Sequence, residues 1–167
     1  VFNFIVGNND RACEAAFKKA RALGYDATVV TTSIIGEAKL VGRSLVQKIK
    51  NDHPEKNCVF IVGGETTVMV QGDGIGGRNQ EFVLSCIEEI AGTDIVVASF
   101  ATDGIDGNSD AAGAIADGST YARAIVKNLN YSHFLEKNNS YVFFRTLGDV
   151  LSTGFTETNA MDIQIVR

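Results

Sequence analysis

The sequence predicts an α/β fold, a three-layer sandwich in which helices flank a mixed, mainly parallel sheet. Three observations carry this. Apolar runs of strand length alternate with segments of helical period. The glycine-bearing polar stretches IVGNN, IVGGE, MVQGDGIGGRNQE and SFATDGIDGNSD each follow an apolar run, as expected where a chain leaves the carboxyl end of a strand in an open α/β sheet. The 167 residues are 45% hydrophobic and 21% charged, which suits one domain able to bury roughly 70% of its unfolded surface. No internal repeat or low-complexity linker divides residues 1–167, so they are taken as a single domain.

The elements follow in order. Phe2 to Val6 is the first strand candidate. Asn8 or Asn9 then caps a helix with Ala12, Cys13, Ala16, Phe17, Ala20 and Leu23 on one face, ended by Gly24. Ala27 to Thr32 is the second strand. Glu37 to Asn51 repeats the helical pattern, and Pro54 blocks its continuation. Cys58 to Val62 is a buried strand, and Thr66 to Val70, after two glycines, is expected to pair with it as a hairpin. A helix from Phe82 to Ile90 stops at Gly92, and Asp94 to Phe100 is the most apolar strand. Helices near Thr120 to Asn128 and Asn139 to Leu147, and a strand from Asp162 to Val166, close the chain.

Composition excludes several function classes. A net charge of -5 and no cluster of Lys or Arg with aromatics argue against a nucleic-acid partner. No apolar run has the ~18 residues of a membrane span, and the opening VFNFIVGNND lacks the pattern of a signal peptide, so the expected location is cytoplasmic. Cys13, Cys58 and Cys86 lack metal-type spacing and sit among apolar neighbours, as buried reduced thiols do. His53 and His133 read as surface residues. There is no GxSxG, HExxH or CxxC, which leaves acyl transfer and structural zinc without support. The chain opens at Val1 directly into an apolar run, and a longer parent polypeptide is expected.

The stretch GDGIGGRNQE, residues 72–81, has the composition of an anion cradle: glycines that bare the backbone, a helix start, and then Arg78, Asn79, Gln80 and Glu81. Tight turns alone would equally account for the glycines. Gly72, Gly74 and Gly77 also spell GxGxxG, with Asp103 as a ribose ligand, although Asp73 would then face pyrophosphate. Asp103, Asp106 and Asp110 crowd together with Asn108, a density that fits a magnesium site or an acidic loop of Asx turns. A calcium loop from Asp106 to Asp117 lacks the glycine that such a loop needs at its sixth position.

GGETTVMVQGDGIGGRNQEFVLS, ATDGIDGNSDAAGAIADGST and STGFTETNAMDIQI together resemble the MOFRL domain, as do VGNNDRACEAAFKKARALGY and IGEAK upstream. That domain is the carboxyl-terminal part of the glycerate 2-kinases also labelled hydroxypyruvate reductases. The resemblance implies phosphoryl transfer from ATP, with Mg²⁺, to the 2-hydroxyl of D-glycerate. The cleft is shared with a larger amino-terminal Rossmann-like domain that carries the catalytic lysine. Arg78 and Asp103 match its active-site positions. Gly63, Gly64, Glu65, Gly76, Gly77, Asn79, Gln80, Thr102, Thr156 and Asn159 fall in the matched segments as substrate or phosphate-binding positions, with Asp103 and Asp106 as metal positions. On this reading the chain alone is inactive. Its partners are glycerate, a nucleotide, the amino-terminal domain and, as an open alternative, a second copy in a homo-oligomer. An NAD(P)H-dependent hydroxypyruvate reductase and a non-catalytic binding module also remain open. The closing segment departs from the family pattern. Phe155 replaces a proline, Glu157 a glycine and Met161 an asparagine, and Asn139 stands where an aspartate is usual. If that glycine had a positive φ, Glu157 is strained.

Overall fold

The computed structural model describes residues 7–52 and 57–167. The first strand candidate, His53 and Pro54 lie outside them. Among the described residues six strands form one sheet in the order β1-β2-β6-β3-β4-β5. They are β1 Asp26–Ile34, β2 Cys58–Gly64, β3 Val96–Ala101, β4 Gly113–Asp117, β5 Val150–Leu151 and β6 Asp162–Val166. The helices are α1 Asn9–Ala22, α2 Ala38–Asp52, α3 Arg78–Cys86, α4 Thr120–Val126, α5 Tyr131–Glu136 and α6 Ser140–Leu147. None of the helices described is long and apolar enough to cross a membrane.

Strand alternation sorts the core into two layers. Val59, Ile61 and Ile163 face α1, where they meet Cys13, Phe17 and Ala20. Phe60, Val97, Ala114 and Val166 face the other way, onto Val46, Phe82, Leu84, Phe143 and Phe144. Each large apolar side chain so buried contributes roughly 1.5–3 kcal/mol. The three-layer, mixed-sheet expectation therefore holds. Cys13 and Cys86 are buried free thiols as expected, whereas Cys58 is only half-buried.

Among the described residues the sheet is not mainly parallel: only β1 and β2 run parallel, while β2–β6, β3–β6, β3–β4 and β4–β5 are all antiparallel. The cause is β6, which returns from the end of the chain and inserts between β2 and β3 in the opposite sense. The expected hairpin of residues 66–70 is also absent. β2 already has β1 on one side and β6 on the other, so no free edge remains, and residue 67 makes only an isolated bridge to Glu37.

This topology brings three strand ends to one edge of the sheet. β2 and β3 share a direction because each is antiparallel to β6, so their carboxyl ends and the amino end of β6 lie together. Asp162, the first residue of β6, is in register with Gly64 on one side and Ala101 on the other.

A charged sheet edge as candidate active site

Arg78 opens α3 directly above that edge. Its Nε donates to Asp162 Oδ2 at 2.6 Å and its NH2 to Oδ1 at 3.0 Å, a two-bond fork onto a fully buried carboxylate. NH1 reaches Glu65, just beyond β2, at 2.8 Å. The bidentate face of the guanidinium is thus taken by Asp162, and NH1 is the arm directed to the half-exposed rim. Pairing with Asp162 holds the Arg78 guanidinium above its ordinary pKa. Burial pushes the Asp162 carboxyl up, against the pull of Arg78. Sequence reasoning missed Asp162. The available signal was a lone acid at the head of an apolar central strand, a charge that burial would oblige to find a partner.

Asp106 is not placed as a metal ligand. It is buried, and its two oxygens accept four hydrogen bonds, from the backbone N–H and the side-chain amide of both Asn79 and Gln80 at 2.9–3.2 Å. It therefore caps α3 from a distant loop, satisfying N–H groups that a helix start leaves open. The same bonds turn Asn79 and Gln80 inward onto Asp106, where donors to an anion were expected. Asn79 also accepts from Ser99 Oγ at 2.5 Å. Among the described residues no group of three His, Cys, Asp or Glu is arranged for a metal ion.

Glu81 is buried as well. Its Oε2 accepts from Asn138 Nδ2 at 3.0 Å, while its Oε1 has no hydrogen-bond partner. Burial pushes this carboxyl above its ordinary range, and the Asn138 bond and the charge of Lys39 pull it back. Asn138 in turn accepts from the N–H groups of Gln71 and Gly72 at 2.7 and 2.9 Å. Asn139 accepts from Ile75 N–H and Asn108 from Gly76 N–H. An asparagine at 139 therefore still supplies the acceptor that an aspartate would.

These contacts account for the glycines. A Cβ at Gly74 would lie 2.5 Å from that of Asn139, and one at Gly77 would lie 2.4 Å from the Asp106 carboxylate. The bare backbone serves the loop's own packing. No strand precedes residue 72 directly, so the strand, turn and helix context of a dinucleotide fingerprint is missing as well. Gly63 and Gly64 likewise end β2 in close contact with Asn9 and residues 33–34.

Asp103 lies just past β3 and is only partly buried. Its Oδ1 accepts from Ile105 N–H at 3.1 Å, and its Oδ2 has a long 3.5 Å contact with Asn159. Thr156 donates its Oγ1–H to Thr102 O at 2.6 Å and its N–H to Asp103 O at 3.0 Å. Thr102 Oγ1 donates to Met161 O and accepts from Ala160 N–H. Thr102, Asp103, Thr156 and Asn159 thus knit the β3 and β6 loops together on the edge. Glu157 is strained as expected, with φ 60, and Met161, for which no strain was expected, has φ 62, a region that costs most side chains but suits glycine and, less fully, asparagine. A cleft of about 800 Å³ opens beside Arg78, bounded by the 65–70 segment, the glycine loop and Asn108.

Fold and edge together define an α/β domain with an open, charged sheet edge built around a locked arginine. Residues 58–162 match the model of the MOFRL family, and the chain belongs to that family. It is 41% identical to a "Glycerate 2-kinase" of Pyrococcus horikoshii over 99% of its own length and 39% of the relative's. It is 40% identical to a "D-glycerate 2-kinase" of Thermotoga maritima over 96% of its length and 40% of that protein's. The crystal structure of a Thermotoga maritima glycerate kinase superposes with a TM-score of 0.92 at 39% identity, covering 98% of this chain and 41% of that one. The chain thus spans about two fifths of the length of these relatives.

Proposed function

We propose that this chain is the carboxyl-terminal part of a cytoplasmic, ATP-dependent glycerate 2-kinase and, alone, is inactive. An amino-terminal domain closes the other side of the cleft. The observation that carries the reading is the Arg78–Asp162 fork at the carboxyl edge of the sheet, in a chain whose kinase relatives match it almost end to end. Phosphoryl transfer asks a protein mainly for positioning and charge stabilisation. Asp162 fixes the plane of the guanidinium. NH1 is then free to exchange the half-exposed Glu65 for the transferring phosphoryl group or the substrate carboxylate. In the reaction the substrate's 2-oxygen bonds to the γ-phosphorus, the bond from that phosphorus to the β-phosphate bridging oxygen breaks, and the hydroxyl proton leaves.

Asp103 is the partly exposed carboxylate suited to receive that proton or to meet Mg²⁺. Its one long contact leaves an oxygen open, and Mg²⁺ typically takes only one or two protein carboxylates beside the phosphates. Bound with the nucleotide, Mg²⁺ would supply neutralisation of phosphate charge.

The test is product analysis of the full-length protein. ADP and 2-phosphoglycerate should form from ATP and D-glycerate, with no oxidation of NADH or NADPH by hydroxypyruvate; the reverse result would establish a reductase. Asp103→Asn should lower kcat by roughly 10². Partial rescue at high Mg²⁺ assigns metal binding, and an unrescued deficit assigns the base. Unchanged turnover removes Asp103 from the site.

A further inference from the structure

Building on the kinase reading, we propose that the nucleotide and the hydroxy acid divide this edge between them, with the nucleoside of ATP occupying the cleft beside Arg78. Four observations point there. The cleft, about 800 Å³, is far larger than a three-carbon acid requires and has the size of a small-molecule cofactor site. Its outer wall is apolar, formed by the exposed Ile35 (80%) and Val70 (74%) with the half-buried Val68 between them and the core. A purine face would cover such a wall. Glu81 lines the same cleft with a buried carboxylate oxygen that lacks a hydrogen-bond donor, and ribose hydroxyls and exocyclic amines are donors. At its rim stands Arg78, whose NH1 arm is held by a half-exposed Glu65. A molecule with an apolar plane, hydroxyl donors and a polyanionic tail matches this order of surfaces. Glycerate, a small and wholly polar anion, does not. It falls instead to the Asp103, Thr156 and Asn159 side of Arg78, where the surface is hydroxyl, amide and carboxylate.

Val70→Asp places a charge on the apolar wall at a position exposed enough to spare the fold. In the full-length protein it should raise KM for ATP, and Kd for ADP by calorimetry, about tenfold or more. KM for D-glycerate should stay within about twofold. Val70→Leu should behave as wild type. Adenosine, which has no phosphate, should compete with ATP and lose that competition in Val70→Asp. A rise in KM for D-glycerate instead, equal effects on both substrates as when a domain interface is disturbed, or no competition by adenosine would each overturn the proposal. The two readings fail separately. D-glycerate phosphorylation with KM for ATP untouched by Val70→Asp would sink the cleft and keep the kinase. ADP binding abolished by Val70→Asp in a protein that phosphorylates no glycerate would do the converse.

Discussion

Glu81 shows how much one buried side chain can report. In the unfolded chain its carboxyl titrates near 4.5, and burial raises that value in the fold. The native state then binds this proton more tightly, so the group's contribution to stability is full at low pH and is lost as pH rises through the raised value. Glu81→Gln cannot titrate. Wild-type melting temperature measured relative to Glu81→Gln should therefore fall as pH rises from the ordinary carboxylate range through the raised value; parallel curves would show that Glu81 is not perturbed. Glu157 makes a second, independent statement. With φ 60 on an exposed loop, Glu157→Gly should raise stability by about 1 kcal/mol. A lower melting temperature would mean that the side chain makes a compensating contact.

Among the elements, α3 depends most on distant sequence. Its first turn is closed by Asp106 rather than by its own N-cap residue, Gly77, which makes no side-chain cap bond. Asp106→Asn trades one acceptor for a donor facing other donors, and should cost about 1–3 kcal/mol. Hydrogen exchange should show the loss concentrated at Asn79 and Gln80, with β2 still protected; a uniform loss would argue against a local cap. The same dependence explains which elements the sequence made legible. α1, β2 and β6 were readable because apolar period, caps and strand length are local properties, and β6 matched its expected bounds, Asp162–Val166. β4, reading GAIAD, carries small residues where a strand signal needs β-branched or aromatic ones. β5 spans two residues and α5 six, too few for a period to show. The start of α3 was placed four residues late because its cap lies across a loop.

At the scale of the whole molecule, the candidate site was half legible. Arg78 and Asp103 stood out through resemblance, and the structure sets both at the edge where β2, β3 and β6 meet. What could not be read was how they are held. Asp162 comes from the far end of the chain, 84 positions from Arg78, and enters only because β6 is threaded antiparallel into the middle of the sheet. Asn79, Gln80 and Asp106 looked like ligand groups in the sequence because polar residues beside glycines suit both an anion cradle and an internal cap. Burial alone separates the two uses.

If the guanidinium fixed by Asp162 supplies the charge stabilisation of the proposed phosphoryl transfer, kinetics of Arg78→Lys in the full-length protein show it most directly. Lysine keeps the charge but cannot fork onto Asp162 while presenting a further N–H to the substrate. The account predicts a fall in kcat/KM for D-glycerate phosphorylation of roughly 10² or more, with the fold retained by circular dichroism. A folded Arg78→Lys protein with near wild-type kcat/KM would contradict it.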